Sequence, residues 1–120
     1  MLCTVDPLDE TESGDKLAAA LEHLWVRFLP EIRARVEVLE AAASALAGGT
    51  LTPAQRESAT SAAHKLAGTL GTFSLAQGTV VARELEQLYG SGDGPNPKAA
   101  VKMVQELREM VEGRSTPAAS

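Results

Sequence analysis

The chain has 120 residues, 44% hydrophobic but only 3% aromatic, with a net charge of −5; that length suits one domain with one core, built here mostly from Ala, Leu and Val. No Lys/Arg cluster and no apolar run of roughly 18 residues is present, so neither nucleic acid nor a membrane is expected as a partner. Cys3 is the lone cysteine, which excludes an intrachain disulfide and Cys/His metal spacing, so no metal and no cofactor are expected and the cytoplasm is the expected compartment.

In chain order, residues 1–14 carry Asp6, Asp9, Glu10 and Glu12 without a base and read as a flexible acidic tail. A helical domain is expected over 15–113, followed by a flexible tail over 114–120. In "DKLAAALEHLWVRFLP", Leu17, Leu21, Leu24, Trp25 and Phe28 recur at helical spacing, predicting a first helix that ends in a bend at Pro30. In "EIRARVEVLEAAASALAGG", Ile32, Val36, Leu39, Ala43 and Leu46 continue the pattern until Gly48 and Gly49 stop it, which predicts a second.

A third helix opens at "TPAQ", with Thr52 as N-cap, Pro53 at the first helical position and Gln55 completing a capping box. Ser74 and Gln77 make a second capping-box pattern, predicting a short turn near residues 72–74 and a fourth, antiparallel helix with Val81, Ala82, Leu85 and Leu88 inward. "GSGDGPN" at 90–96 reads as a loop. Asn96 and Pro97 then start a last helix that turns Ala100, Met103, Val104, Leu107 and Val111 to the core. Strand alternation is absent, and the sum is an all-α antiparallel bundle.

On the third helix, Ala59, Ala62, Ala63, Leu66, Leu70 and Phe73 share one apolar stripe, and His64 points almost directly away from it. Gly71 and Gly68 project within about 20° and 40° of the histidine direction, with Glu57, Thr60 and Ser61 as the nearest polar neighbours one to two turns before it. Each mid-helix glycine costs roughly 0.5–1 kcal/mol relative to alanine. That cost has a purpose if the bare surface lets a partner approach the imidazole. His23 lies opposite the apolar face of the first helix without small neighbours, and reads as an ordinary solvated residue. An exposed imidazole is largely neutral at cytosolic pH and nucleophilic without a dedicated base, which suits accepting a phosphoryl group. Mg²⁺ and the other catalytic groups can come from the partner, so the chain is expected to be a phosphocarrier without autonomous catalysis.

"AHKLAGTLGTFSL" resembles the signature of histidine-containing phosphotransfer (HPt) domains, through Ala63, His64, Leu66, Gly68, Gly71 and Phe73. The resemblance implies an up-and-down four-helix bundle with an additional N-terminal helix, and reversible phosphorylation of His64 at Nε2. It implies receiver domains of response regulators and hybrid histidine kinases as partners; Gly68, Gly71, Ser61 and Thr60 are the docking surface expected for them, with Leu75 and exposed parts of the first helix expected to border it. A monomer suffices for that chemistry. In two places the chain departs from the pattern. The family often has lysine three residues after the histidine, where this chain has Ala67, so Lys65 is assigned the phosphate-stabilising role by a swing of its long stem. The family also commonly has glycine at the position of Ser74, here read as an N-cap. Two other readings compete: a dimerisation and phosphotransfer fragment of a histidine kinase, lacking its usual acidic residue after the histidine, and a helical adaptor that binds a receiver without phosphotransfer. No nucleophile–base–acid set or phosphate-binding loop suggests an autonomous enzyme.

Overall fold

The computed structural model describes residues 7–90 and 96–115, with side chains at 16–90 and 96–114. Four helices follow one another in it: α1 Pro7–Ala47, α2 Pro53–Thr72, α3 Ala76–Gly90 and α4 Pro97–Ser115. No strand occurs among the described residues, and the all-α helical class is as expected. Five helical segments were expected and four are found, because helix runs through Pro30 in α1. Pro30 removes the donor for the carbonyl of Val26. Both residues are exposed, so water can take that bond and the helix need not break.

The chain divides at Pro30 into two compact units, residues 1–30 and 31–120. The first is helical from Pro7, inside the stretch read as a tail, while residues 1–6 lie outside the described residues. Trp25 is buried, but Leu17, Leu24 and Phe28 are 62%, 36% and 41% exposed. The expected apolar face is therefore only partly covered. Periodicity reports that a helix has an apolar side and is silent on what covers it.

The second unit holds the bundle, and its helix ends follow the chain's punctuation. Gly49 adopts φ +72, with Thr50 N–H donating to Ala45 O at 2.8 Å and Gly49 N–H to Leu46 O at 3.2 Å, the paired bonds of a Schellman stop. At the start of α2, Gln55 N–H donates to the Thr52 hydroxyl at 3.1 Å and Thr52 N–H to the Gln55 side chain at 2.9 Å. Asn96 Oδ1 likewise accepts from Lys98 N–H at 3.0 Å to open α4. Residues 91–95 of the expected loop lie outside the described residues.

Ile32, Val36, Leu39, Ala59, Ala63, Leu66, Leu70, Leu85, Ala100 and Leu107 are all buried. Alanines on α2 and Gly78 on α3 allow close approach: a Cβ at Gly78 would lie 3.1 Å from Leu70 Cδ1. Arginine–carboxylate forks tie the 31–47 part of α1 to α4. Arg33 binds Glu112 at 2.8 and 2.9 Å, and Arg108 binds Glu40 at 2.6 and 2.9 Å. The hydrogen bonds from Arg108 and Arg33 hold the Glu40 and Glu112 carboxyls below the ordinary glutamate value.

The turn between α2 and α3 corrects the expected cap. Ser74 does not cap α3, which starts two residues later at Ala76. It has φ 60 and ends α2 as the left-handed residue of a second Schellman stop, with Leu75 N–H donating to Leu70 O at 2.9 Å and Ser74 N–H to Gly71 O at 3.1 Å. A side chain is disfavoured there, which is the physical reason glycine suits the position.

Candidate functional site

His64 stands at mid-α2 with 74% of its side chain exposed, on the face opposite buried Ala59, Ala62, Ala63, Leu66 and Leu70. Its Nδ1 lies 2.8 Å from Glu86 Oε2 on α3. A carboxylate can only accept, so in the neutral ring the proton sits on Nδ1 and the lone pair on Nε2. Nε2 has no protein partner among the described residues. Glu86 thus orients the ring and selects the tautomer.

Sequence reasoning missed Glu86, although a signal for it exists in the hairpin. His64 and Glu86 each lie 11 residues from Leu75. So do other facing pairs, at their own separations: Gly71 opposite Thr79, and Thr60 opposite Gly90, within 3.7 and 3.8 Å of the position a Cβ would take. Antiparallel helices about a known turn place residues equidistant from it side by side, and the turn's position carries that information.

On the C-terminal side of His64, a Cβ at Gly68 would meet nothing within 4 Å, and one at Gly71 only Thr79 Oγ1 at 3.7 Å. Nothing inside the protein forbids alanine at Gly68. On the other side lies an open depression of about 790 Å³ that includes His64, Glu86, Ser61, Thr60, Arg56 and Tyr89 in its walls. Thr60 spends its hydroxyl hydrogen on Arg56 O at 2.9 Å.

Lys65 is not brought into that depression. It lines a neighbouring one with Arg35, Glu57 and Ser61. Ala67 is buried at 4%, and its carbonyl accepts from Thr79 Oγ1 at 3.4 Å. His23 is exposed and belongs to the other unit. No cluster of three or more metal-ligating side chains occurs among the described residues, nor any helix long and apolar enough to cross a membrane.

The family model described as the Hpt domain matches residues 16–115. The chain belongs to the Hpt domain family. Membership places this Hpt domain in the phosphorelays of two-component signalling. The matched range takes in α2 and α3 whole and with them the His64–Glu86 pair. Among curated proteins the Hpt domain is similar to Protein RcaC of Microchaete diplosiphon, 36% identical over 93 residues. The match covers 78% of this chain but 14% of that relative. No solved structure gives a significant match.

Proposed function

We propose that the chain is a phosphorelay carrier that takes a phosphoryl group onto Nε2 of His64 from a receiver-domain aspartate and passes it to another receiver. The observation that carries this reading is the exposed ring whose Nδ1 is engaged by Glu86 while Nε2 has no protein partner among the described residues. In the forward step the Nε2 lone pair attacks phosphorus, an N–P bond forms, and the O–P bond of the acyl phosphate breaks. Its electron pair leaves with the receiver's carboxylate. The Nδ1 proton stays in place, so the ring becomes a phosphoimidazolium whose positive charge Glu86 meets directly. In reverse the same hydrogen bond holds a good leaving group ready. The carrier supplies a nucleophile and its orientation; Mg²⁺ and charge neutralisation come from the receiver, so the chain needs no catalytic set of its own.

Gly68 and Gly71 serve as the surface over which the receiver comes close, with Ser61 and Thr60 at its opposite edge. Lys65 is assigned the phosphoryl counter-charge, delivered by rotation of its flexible stem from the neighbouring depression. A single copy suffices, in the cytoplasm where receivers and hybrid kinases present their domains.

Mixing wild type and His64→Gln with phosphorylated receiver domains from the same organism tests the reading. Label is expected on wild type alone, on an acid-labile, base-stable bond, and it returns to dephosphorylated receiver. Equal labelling of His64→Gln would overturn it, and receiver binding without any labelling would favour the adaptor.

A further inference from the structure

We infer that the depression on the N-terminal side of His64 receives an apolar side chain of the incoming receiver domain, which makes Leu51 and Leu46 determinants of partner choice. The inference rests on the phosphocarrier reading. A stable protein contact needs roughly 800 Å² on each partner, and its affinity comes mainly from a few side chains seated in pockets. The glycine surface on the other side of His64 has no side chains to contribute that energy. It permits approach and does not anchor.

The depression can supply the anchor. It is continuous with the reacting atom, because His64 and Glu86 form part of its wall, so a domain that reaches Nε2 also covers it. Leu46, Leu51 and Pro53 give it apolar lining where α1 ends and α2 begins. An apolar side chain of the partner fits this lining and fills the depression beside the reacting ring. A receiver would then straddle His64, sliding over glycine on one side and gripping on the other.

Leu51 is half-buried and lies before the N-cap of α2, so it can be changed with little effect on folding. The test measures single-turnover transfer from a phosphorylated receiver domain at increasing concentrations of wild type, Leu51→Glu and Leu51→Met. In parallel, His64 is labelled with phosphoramidate, a donor too small to use the depression. Leu51→Glu is expected to raise the half-saturating concentration at least tenfold with the plateau rate unchanged. Leu51→Met should stay within about twofold of wild type, and phosphoramidate labelling should be equal in all three. Unchanged half-saturation in Leu51→Glu would overturn the inference while leaving the phosphocarrier reading intact. A parallel fall in phosphoramidate labelling would place the damage at the histidine and also overturn it. Wild type that labels from neither donor would remove the carrier reading itself, and this inference with it.

Discussion

At the scale of single residues, the site depends on a hydrogen bond and on missing side chains. Glu86→Ala frees the His64 ring to rotate and to move its proton to Nε2, so transfer should slow by about tenfold. Glu86→Gln keeps an acceptor at Oε1 and should lose less. Nitrogen NMR of the imidazole checks the cause independently, by showing one tautomer in wild type and a mixture in Glu86→Ala. Gly68→Ala separates stability from function. With open space around its Cβ, the change should stabilise the fold by about 0.5–1 kcal/mol yet weaken receiver transfer, read by thermal unfolding and by labelling. Ser74→Gly should also stabilise, by about 0.5–1 kcal/mol, because it removes a side chain from a φ of 60. It should leave transfer unchanged.

At the scale of elements, the α2–α3 hairpin holds His64 and the Glu86 carboxylate in register. Gly78 is what lets the helices come together, and alanine there presses on Leu70 Cδ1 at 3.1 Å. Gly78→Ala should cost about 1–3 kcal/mol by overpacking and loosen the His64–Glu86 bond, visible as a fall in Tm together with slower transfer. The stop of α1 and the caps that open α2 and α4 were legible because each is a local contest for backbone hydrogen bonds: Gly48 with Gly49, Thr52 with Gln55, Asn96 with Pro97. Ser74 misled for the same reason. A serine before a glutamine satisfies the cap pattern, yet the carbonyls ending α2 claimed the turn first. Glu86 was legible only through the register, since nothing in the local sequence of α3 distinguishes it from Glu84.

For the molecule as a whole, the helical class and the inward faces of 31–111 follow from periodicity, since every helix of the bundle buries one stripe. What periodicity did not give was the exposure of Leu17, Leu24 and Phe28, or the passage of α1 through Pro30, which depend on neighbours and on water rather than on pattern. The α1–α4 forks give the bundle an acid limit. The Glu40 and Glu112 carboxyls are held below their ordinary value by Arg108 and Arg33, so this stabilisation is complete above the unfolded glutamate pKa and is lost as pH falls through the folded values. Thermal stability should be level from neutral pH to about 5 and decline below about 4.5. Arg108→Met should flatten that decline, as measured by unfolding across the same range.

The 74% exposure of His64 would also determine how long a phosphoryl group lasts on the proposed carrier. At that exposure an N–P bond formed there would be open to water over most of the ring's surface. The phosphorylated carrier should therefore lose its label, with no receiver present, within a few-fold of the rate for phosphohistidine in an unstructured peptide. If the chain carries phosphoryl groups as proposed, a signal handed to it fades unless it is collected, and the output follows recent input.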